Sequence, residues 1–340
     1  MITVEHLTKY YGDHLAVDDI SFEITEGHVY GFLGPNGAGK STTMNIITGC
    51  LSATDGKVLI DGHDIFEEPD AAKRCIGYLP EHPPLYMTES AEDYLRFVAE
   101  AKGLRGAELR EQVQQAIEKT GIENVKHRRI SQLSKGYKQR VGIAQALLGN
   151  PKVIILDEPT VGLDPIQIIE IRELIMELGK THTVIFSSHI LSEVQAICDQ
   201  ILMIAKGKLV AFGTPDELQK QLTAPNEIIL TTDAVETELK EIIGDIEEIT
   251  EITTGAVEPE LTIAHIQSSH ENIYDLSAEV FRAFAGSNRV LYEMTLKRGN
   301  LEDVFIELSE GPDAAEEAEA ASPEDTSIPE ATEAEESEEA

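Results

Sequence analysis

The segment Gly34-Pro-Asn-Gly-Ala-Gly-Lys-Ser41 constrains this chain more than any other. It fits the pattern G-x-x-x-x-G-K-[ST] and lies between an apolar run, Val29 to Leu33, and a helical run, Thr42 to Ile47. A strand that feeds a glycine-rich loop and then a helix N-terminus makes a phosphate cradle. The loop N–H groups point at anionic oxygens, and the helix dipole adds partial positive charge. Residues Gly34, Pro35, Asn36, Gly37, Ala38 and Gly39 would wrap a nucleoside triphosphate, with Thr42 opening the helix behind them. Lys40 would reach the β- and γ-phosphates, and Ser41 would set its hydroxyl on Mg²⁺. With glycine at about 7 % of residues, a chance match in a chain this long is on the order of one in a hundred. The strand–helix setting lowers that figure further.

A second element has matching chemistry. Val153-Ile-Ile-Leu-Asp-Glu158 is an apolar run ending in two acids, so its carboxylates emerge at the C-terminal end of a buried strand. Ligands of open α/β sheets sit there. Asp157 suits Mg²⁺ through its water shell, and Glu158 suits a base or positioner for an attacking water. Alone, the pair reads more readily as an acidic turn after a strand; beside the phosphate loop it reads as part of one site.

The remaining pattern predicts the architecture. Ile2 to Leu7 and Ile20 to Ile24 alternate like half-buried strands, whereas Val29 to Leu33, Val153 to Leu156 and Val184 to Ser187 read as buried parallel strands. From Glu89 to Gly149 there is no strand signal, and apolar residues recur at helical spacing. This predicts an α/β P-loop NTPase core over 1–220 with a helical insertion at about 85–150. Past Pro225 the order becomes strand, helix, strand, strand, helix, strand, helix, ending with Leu301 to Leu308. A small α+β ferredoxin-like domain over 221–309 follows. Residues 310–340 are rich in Ala, Glu, Pro, Ser and Thr, and Ile328 is their one large aliphatic. Such a tail cannot bury enough surface to offset ordering entropy and is expected to be disordered.

Charge narrows the partners. The chain carries 27 Lys+Arg against 62 Asp+Glu, a net −35. The tail from Glu310 holds 13 acids and no bases, leaving −22 for residues 1–309. Both parts repel phosphate backbones, so no nucleic-acid partner is expected. The longest apolar run, Ile201 to Ala205, is five residues, against the roughly 20 of a spanning helix. Met1 to Tyr10 has no apolar core of a secretory signal. Cys50, Cys75 and Cys198 share no metal-ligand spacing. A reduced, cytoplasmic setting is expected.

A third motif lies between the first two. Leu133-Ser-Lys-Gly-Tyr-Lys-Gln-Arg140, 24 residues ahead of Asp157 and opening a helix expected over Tyr137 to Leu148, resembles the Leu-Ser-Gly-Gly-Gln signature of the ATP-binding subunits of ABC transporters. Lys135 replaces a glycine and Tyr137 the glutamine, while Ser134 and Gly136, whose hydroxyl and N–H would meet a γ-phosphate, are intact. Tyr11, 29 residues ahead of Lys40, resembles the aromatic on which adenine stacks. Gly162-Leu-Asp-Pro165 resembles the D-loop, placing Asp164 near a dimer seam, and His189 resembles the switch histidine that contacts the γ-phosphate. In Ile76-Gly-Tyr-Leu-Pro-Glu81 a glutamate stands where the family usually has the Q-loop glutamine. Glu81 accepts hydrogen bonds but donates none, so it could ligate Mg²⁺ without acting as an amide.

Glu81, the Lys-Gly-Tyr signature and the ending Gly299-Asn-Leu-Glu-Asp-Val-Phe305 resemble the type-2 exporter branch, which handles drugs, lipids, polysaccharides or peptides. The resemblance implies a P-loop NTPase core with an antiparallel β subdomain, in an ATPase subunit that binds Mg·ATP and forms a homodimer or heterodimer around two nucleotides. It further implies a separate transmembrane permease, driven from the inner face of the cell membrane. Each site would join Tyr11, Lys40, Ser41, Glu158 and His189 of one chain to Ser134 and Gly136 of the other. The alternative is a non-transport ABC ATPase acting in DNA repair or on the ribosome. Such proteins tend to carry a second ATPase unit, a long coiled coil or a basic surface, none of which this sequence displays.

Overall fold

The apolar runs become strands because each can be covered on both faces. A computed structural model describes residues 1–222, 226–244, 246, 249–258, 261–268 and 272–297. The chain opens with β1 (Ile2–Tyr11), β2 (His14–Ile24) and β3 (Val29–Leu33), followed by α1 (Lys40–Ile47). Next come β4 (Asp55–Ile60), β5 (His63–Asp64), α2 (Pro69–Arg74) and β6 (Ile76–Leu79). The helical insertion is α3 (Ala91–Ala101), α4 (Gly106–Thr120) and α5 (Lys135–Leu147). The core resumes with β7 (Val153–Leu156), α6 (Pro165–Gly179), β8 (Thr183–Ser188) and α7 (Leu191–Ile197), then β9 (Gln200–Ala205), β10 (Lys208–Gly213) and α8 (Pro215–Leu222).

Two sheets result. The antiparallel one has the order β2-β1-β4-β5, and the larger one β10-β9-β3-β8-β7-β6, parallel except for β10. Residues of β3 divide by parity: Val29 and Leu33 join a core with the helical insertion, while Tyr30 and Phe32 join one with the antiparallel sheet. In β7, Ile154 and Leu156 likewise face the first core, Val153 and Ile155 the second. Strands buried on both faces must be apolar throughout, as these runs are.

Caps explain where helices begin. Ser90 Oγ accepts from Asp93 N at the start of α3, and Ser134 Oγ accepts from Tyr137 N at the start of α5. Helix α5 therefore starts at Lys135, ahead of the periodic run from Tyr137, and α1 starts at Lys40, ahead of Thr42. The sequence pattern leaves β4, β5, β6, β9 and β10 out. Of β4 only Val58 and Ile60 are buried, and its pairing with β1 joins residues far apart in the chain, such as Ile2 and Ile60. Strand β2 also runs back to His14, through Asp19 at φ +49°, where the pairing with β1 is irregular.

The rest of the described chain is β11 (Asn226–Thr232), α9 (Glu236–Ile243), β12 (Ile249–Glu258), β13 (Leu261–Ser268), α10 (Ile273–Gly286) and β14 (Leu291–Lys297). Its sheet has the order β12-β13-β11-β14 with every pair antiparallel, the ferredoxin-like arrangement of a βαββαβ chain. Ile228, Leu230, Ala264 and Ile266 meet Leu239 and Ile243 of α9 and Leu276, Val280 and Phe284 of α10 in a core of their own. The helix expected at Leu301–Leu308 and the tail at 310–340 lie outside the described residues.

Leu230 has no solvent exposure at the centre of this third core. Leu230→Ala is expected to cost about 2–5 kcal/mol. Hydrogen exchange should show lost protection in β11, β13 and β14, with the amides of β3, β7 and β8 unchanged, because the core clusters share no residue.

Candidate nucleotide site

Between β3 and α1 the backbone takes conformations that exclude side chains. Gly37 has φ +80°, and Gly39, the cap of α1, has φ +106°. A Cβ on Gly39 would lie 2.6 Å from the carbonyl oxygen of Ala16, and one on Gly34 would overlap that of Ile204. The loop is thus a bare backbone surface held on both sides. Ala38 is buried beneath it, its N–H donating to Pro35 O at 3.2 Å.

Lys40 is buried at the loop's end, 6 % exposed. Its Nζ donates to Gly34 O at 2.8 Å and Pro35 O at 3.2 Å and lies 3.3 Å from Glu158 Oε1. A buried ammonium needs such partners. All three are replaceable by anionic oxygens of a ligand.

Asp157 sits at the end of β7, 2 % exposed, and accepts from Ser187 Oγ at 2.6 Å and Ser41 Oγ at 3.3 Å. Burial raises its pKa above the ordinary carboxylate value, and the two hydroxyls oppose that rise. Glu158 has φ +47°, left-handed backbone that non-glycine residues rarely adopt. Its N–H donates to Ser187 Oγ at 2.8 Å, and its Oε2 lies 3.0 Å from His189 Nδ1. Strained backbone of this kind persists where surrounding contacts over-determine it.

One cleft, of about 430 Å³, gathers most of the expected residues. Tyr11 and His14, at the hairpin end of β1 and β2, form one wall. Asn36, Gly37, Gly39, Lys40, Ser41 and Thr42 form the floor, and Glu81, Glu158 and His189 lie opposite. Gly34, Pro35 and Ala38 lie behind this surface as loop backbone, and Asp157 lies beneath Ser41. Tyr11 is half exposed, with Lys9 Nζ 5.3 Å from its ring centroid. Glu81 is exposed, its nearest ionic contact His82 at 3.9 Å.

Three expected residues are elsewhere. Ser134, Gly136 and Asp164 line a separate cleft, also about 430 Å³, with Tyr137, Arg140 and Gln167. Within the chain Ser134 and Asp164 are helix caps, Asp164 Oδ1 accepting from Gln167 N at 2.9 Å.

Sequence reasoning missed two supporting residues. Ser187 bridges the Asp157 carboxylate and the Glu158 backbone. Glu193 is buried and accepts from Thr160 Oγ1 at 2.8 Å and Ser188 Oγ at 3.0 Å, tying the chain beyond Glu158 to that beyond β8. The available signal was polar Ser187-Ser188-His189 at the end of a buried strand.

The donor set fits Mg²⁺ and a triphosphate: a hydroxyl, a buried carboxylate, a buried ammonium and a loop with no side chains to obstruct it. The fold and site define a P-loop ATPase cassette. A profile of the ABC transporter family matches residues 17–161. The linearmycin resistance ATP-binding protein LnrL of Bacillus subtilis (strain 168) is 33 % identical over 312 residues, 91 % of this chain and 98 % of that protein. The structure of cbiO1 from Clostridium perfringens, part of the ABC transporter complex cbiONQ, superimposes with a TM-score of 0.59 at 31 % identity, covering 72 % of this chain and 95 % of that one. The dimeric ATP-binding cassette MJ0796, in a post-hydrolysis state with ADP and Pi, gives 0.57 at 27 % identity over 63 % of this chain and 98 % of that one. The chain belongs to the ABC transporter ATP-binding proteins.

Because burial raises the Asp157 pKa, the folded chain holds that proton more tightly than the unfolded chain. Its contribution to stability therefore falls as pH rises from the unfolded value through the folded one. Without nucleotide or metal, Asp157→Asn is expected to raise the thermal midpoint at pH 8, with a smaller gain at pH 4.5. Calorimetry in chelator checks this; a fall at pH 8 would contradict it.

Proposed function

We propose that this chain is the ATP-hydrolysing subunit of an exporter, working as a dimer on a separate membrane-spanning permease. One observation carries the reading. Lys40, Ser41, Glu158 and His189 line one cleft, with the Asp157 carboxylate accepting from Ser41 Oγ, while Ser134 and Gly136 line another. Residues of the two clefts act on one nucleotide only if a second chain supplies the second set. The dimeric form of the MJ0796 cassette supports this arrangement.

In the proposed cycle Tyr11 stacks on the base and the loop from Gly34 to Thr42 holds the phosphates. Lys40 exchanges its contacts with Gly34 O, Pro35 O and Glu158 for phosphate oxygens. Mg²⁺, held by Ser41, Asp157 through its water shell, and Glu81, would neutralise phosphate charge. Released from Lys40, Glu158 orients water and takes its proton, while His189 fixes the carboxylate from the side of Oε2. Phosphoryl transfer to water then rests on positioning and electrostatic stabilisation. No covalent intermediate is required.

The coupling is proposed on two grounds. No helix of the described residues is long and apolar enough to cross a membrane, so transport needs a spanning partner. LnrL carries resistance to linearmycin in its name, which supports export of antibiotic-like compounds from the cytoplasmic face.

Glu158→Gln keeps the side-chain shape but weakens activation of water, so ATP should bind and persist. Sedimentation at micromolar protein should show a monomer becoming a dimer with Mg·ATP, and adding Ser134→Arg should prevent it. A Glu158→Gln protein that binds ATP yet stays monomeric would remove the self-assembled shared site. Affinity isolation of the full chain from detergent-solubilised native membranes should co-purify a multispanning subunit; its absence would contradict the transport reading.

A further inference from the structure

The signature segment carries a cation with no assigned task. Lys135 is the first residue of α5, directly after the cap Ser134 and before Gly136. Its ammonium lies against Gly162, a residue at φ +68° in the turn after Glu158, close enough that a Cβ there would overlap Lys135 Nζ. Among the described residues no hydrogen bond or ion pair holds that ammonium.

Its placement is unfavourable within a single chain. Lys135 adds its charge to the positive end of the α5 dipole, and the first turn of that helix contains no acid. In a chain with 62 acidic and 27 basic residues, a partner carboxylate would be easy to supply. Arg140 on the same helix has one, Glu170 Oε2 at 2.7 Å. Lys135 instead lies on bare glycine backbone at the edge of the cleft that Ser134, Gly136 and Asp164 line. Having no side chain, Gly162 leaves room for the ammonium and the end of its stem.

We propose that Lys135 supplies its ammonium to the terminal phosphate of the ATP bound on the partner chain. The inference rests on the shared-site reading above. Closing two acidic chains around two triphosphates accumulates like charge in the seam. A cation delivered from each signature segment offsets it, and it does so only when the terminal phosphate is present. Lys135 would thereby add a charge attraction to the closure that the terminal phosphate brings about.

The test uses the full chain with Glu158→Gln, sedimented against increasing Mg·ATP. Lys135→Met keeps most of the stem and removes the charge. It should require roughly tenfold more ATP for half-maximal dimer, since close charge pairs across an interface are strongly coupled. Lys135→Arg should restore the parent behaviour, and about 0.5 M salt should narrow the gap by screening. The monomer's affinity for ADP should be the same with and without Lys135→Met, because the cation serves the other chain's nucleotide; a matching loss there would place Lys135 in its own chain's site and overturn the proposal. Dimerisation of Lys135→Met at the parent's ATP concentration would overturn the role of Lys135 and leave the shared site standing. A defect that arginine does not rescue and salt does not narrow would mean that Lys135 only packs over Gly162, which also overturns it. A Glu158→Gln parent that never dimerises would remove both readings together.

Discussion

The register of three parallel strands, β3, β8 and β7, is the constraint on which the rest of the molecule depends. Leu33 pairs with Ser188, and Leu156 pairs with Phe186. The chain segments leaving β3, β7 and β8 therefore emerge along one edge of the sheet. Gly34 N–H donates to Ser188 O at 3.3 Å, carrying the ladder one step into the phosphate loop. The two apolar cores hold this register. A slip of one residue would turn Tyr30 and Phe32 toward the helical insertion and Val29 and Leu33 toward the antiparallel sheet.

That edge concentrates charge at low exposure. Lys40, Asp157 and Glu158 are all buried, and each is held by contacts that a bound triphosphate and metal could replace. Buried ion pairs contribute little to stability once desolvation is counted. Their retention here fits a site prepared for a ligand of high charge. Ser187 is the joint of the arrangement, since its hydroxyl donates to Asp157 Oδ1 and accepts from the Glu158 N–H. It makes two consecutive acids take different tasks: one faces Ser41, the other Lys40 and His189.

How much of this was legible in the chain depended on the range of each interaction. Strands buried on both faces read directly, as Val153 to Leu156 does, because unbroken apolar character is itself the signal. The ferredoxin-like order also read directly, since alternation in β13 and helical spacing in α10 are local properties. Strand β4 did not, because its place comes from pairing with β1 across a long stretch of chain. Helix starts were read late by two residues at α1 and α5, where Gly39 and Ser134 supply the caps and the first turn carries no apolar periodicity.

By itself the sequence determined the chemistry available: a glycine loop ending in Lys40 and Ser41, two acids after an apolar strand, and a histidine after another. These are properties of residue type and short spacing, which local sterics and backbone hydrogen bonding dictate. Only the tertiary structure decided which of them share a cleft. Tyr11 and Glu81 reach the phosphate loop from separate segments, while Ser134, Gly136 and Asp164 gather around a second cleft. The positive φ of Glu158, the double role of Ser187 and the seat of Lys135 on Gly162 also arise only there. Each depends on side chains from strands or loops far apart in the chain, brought together by a sheet register that no local pattern encodes.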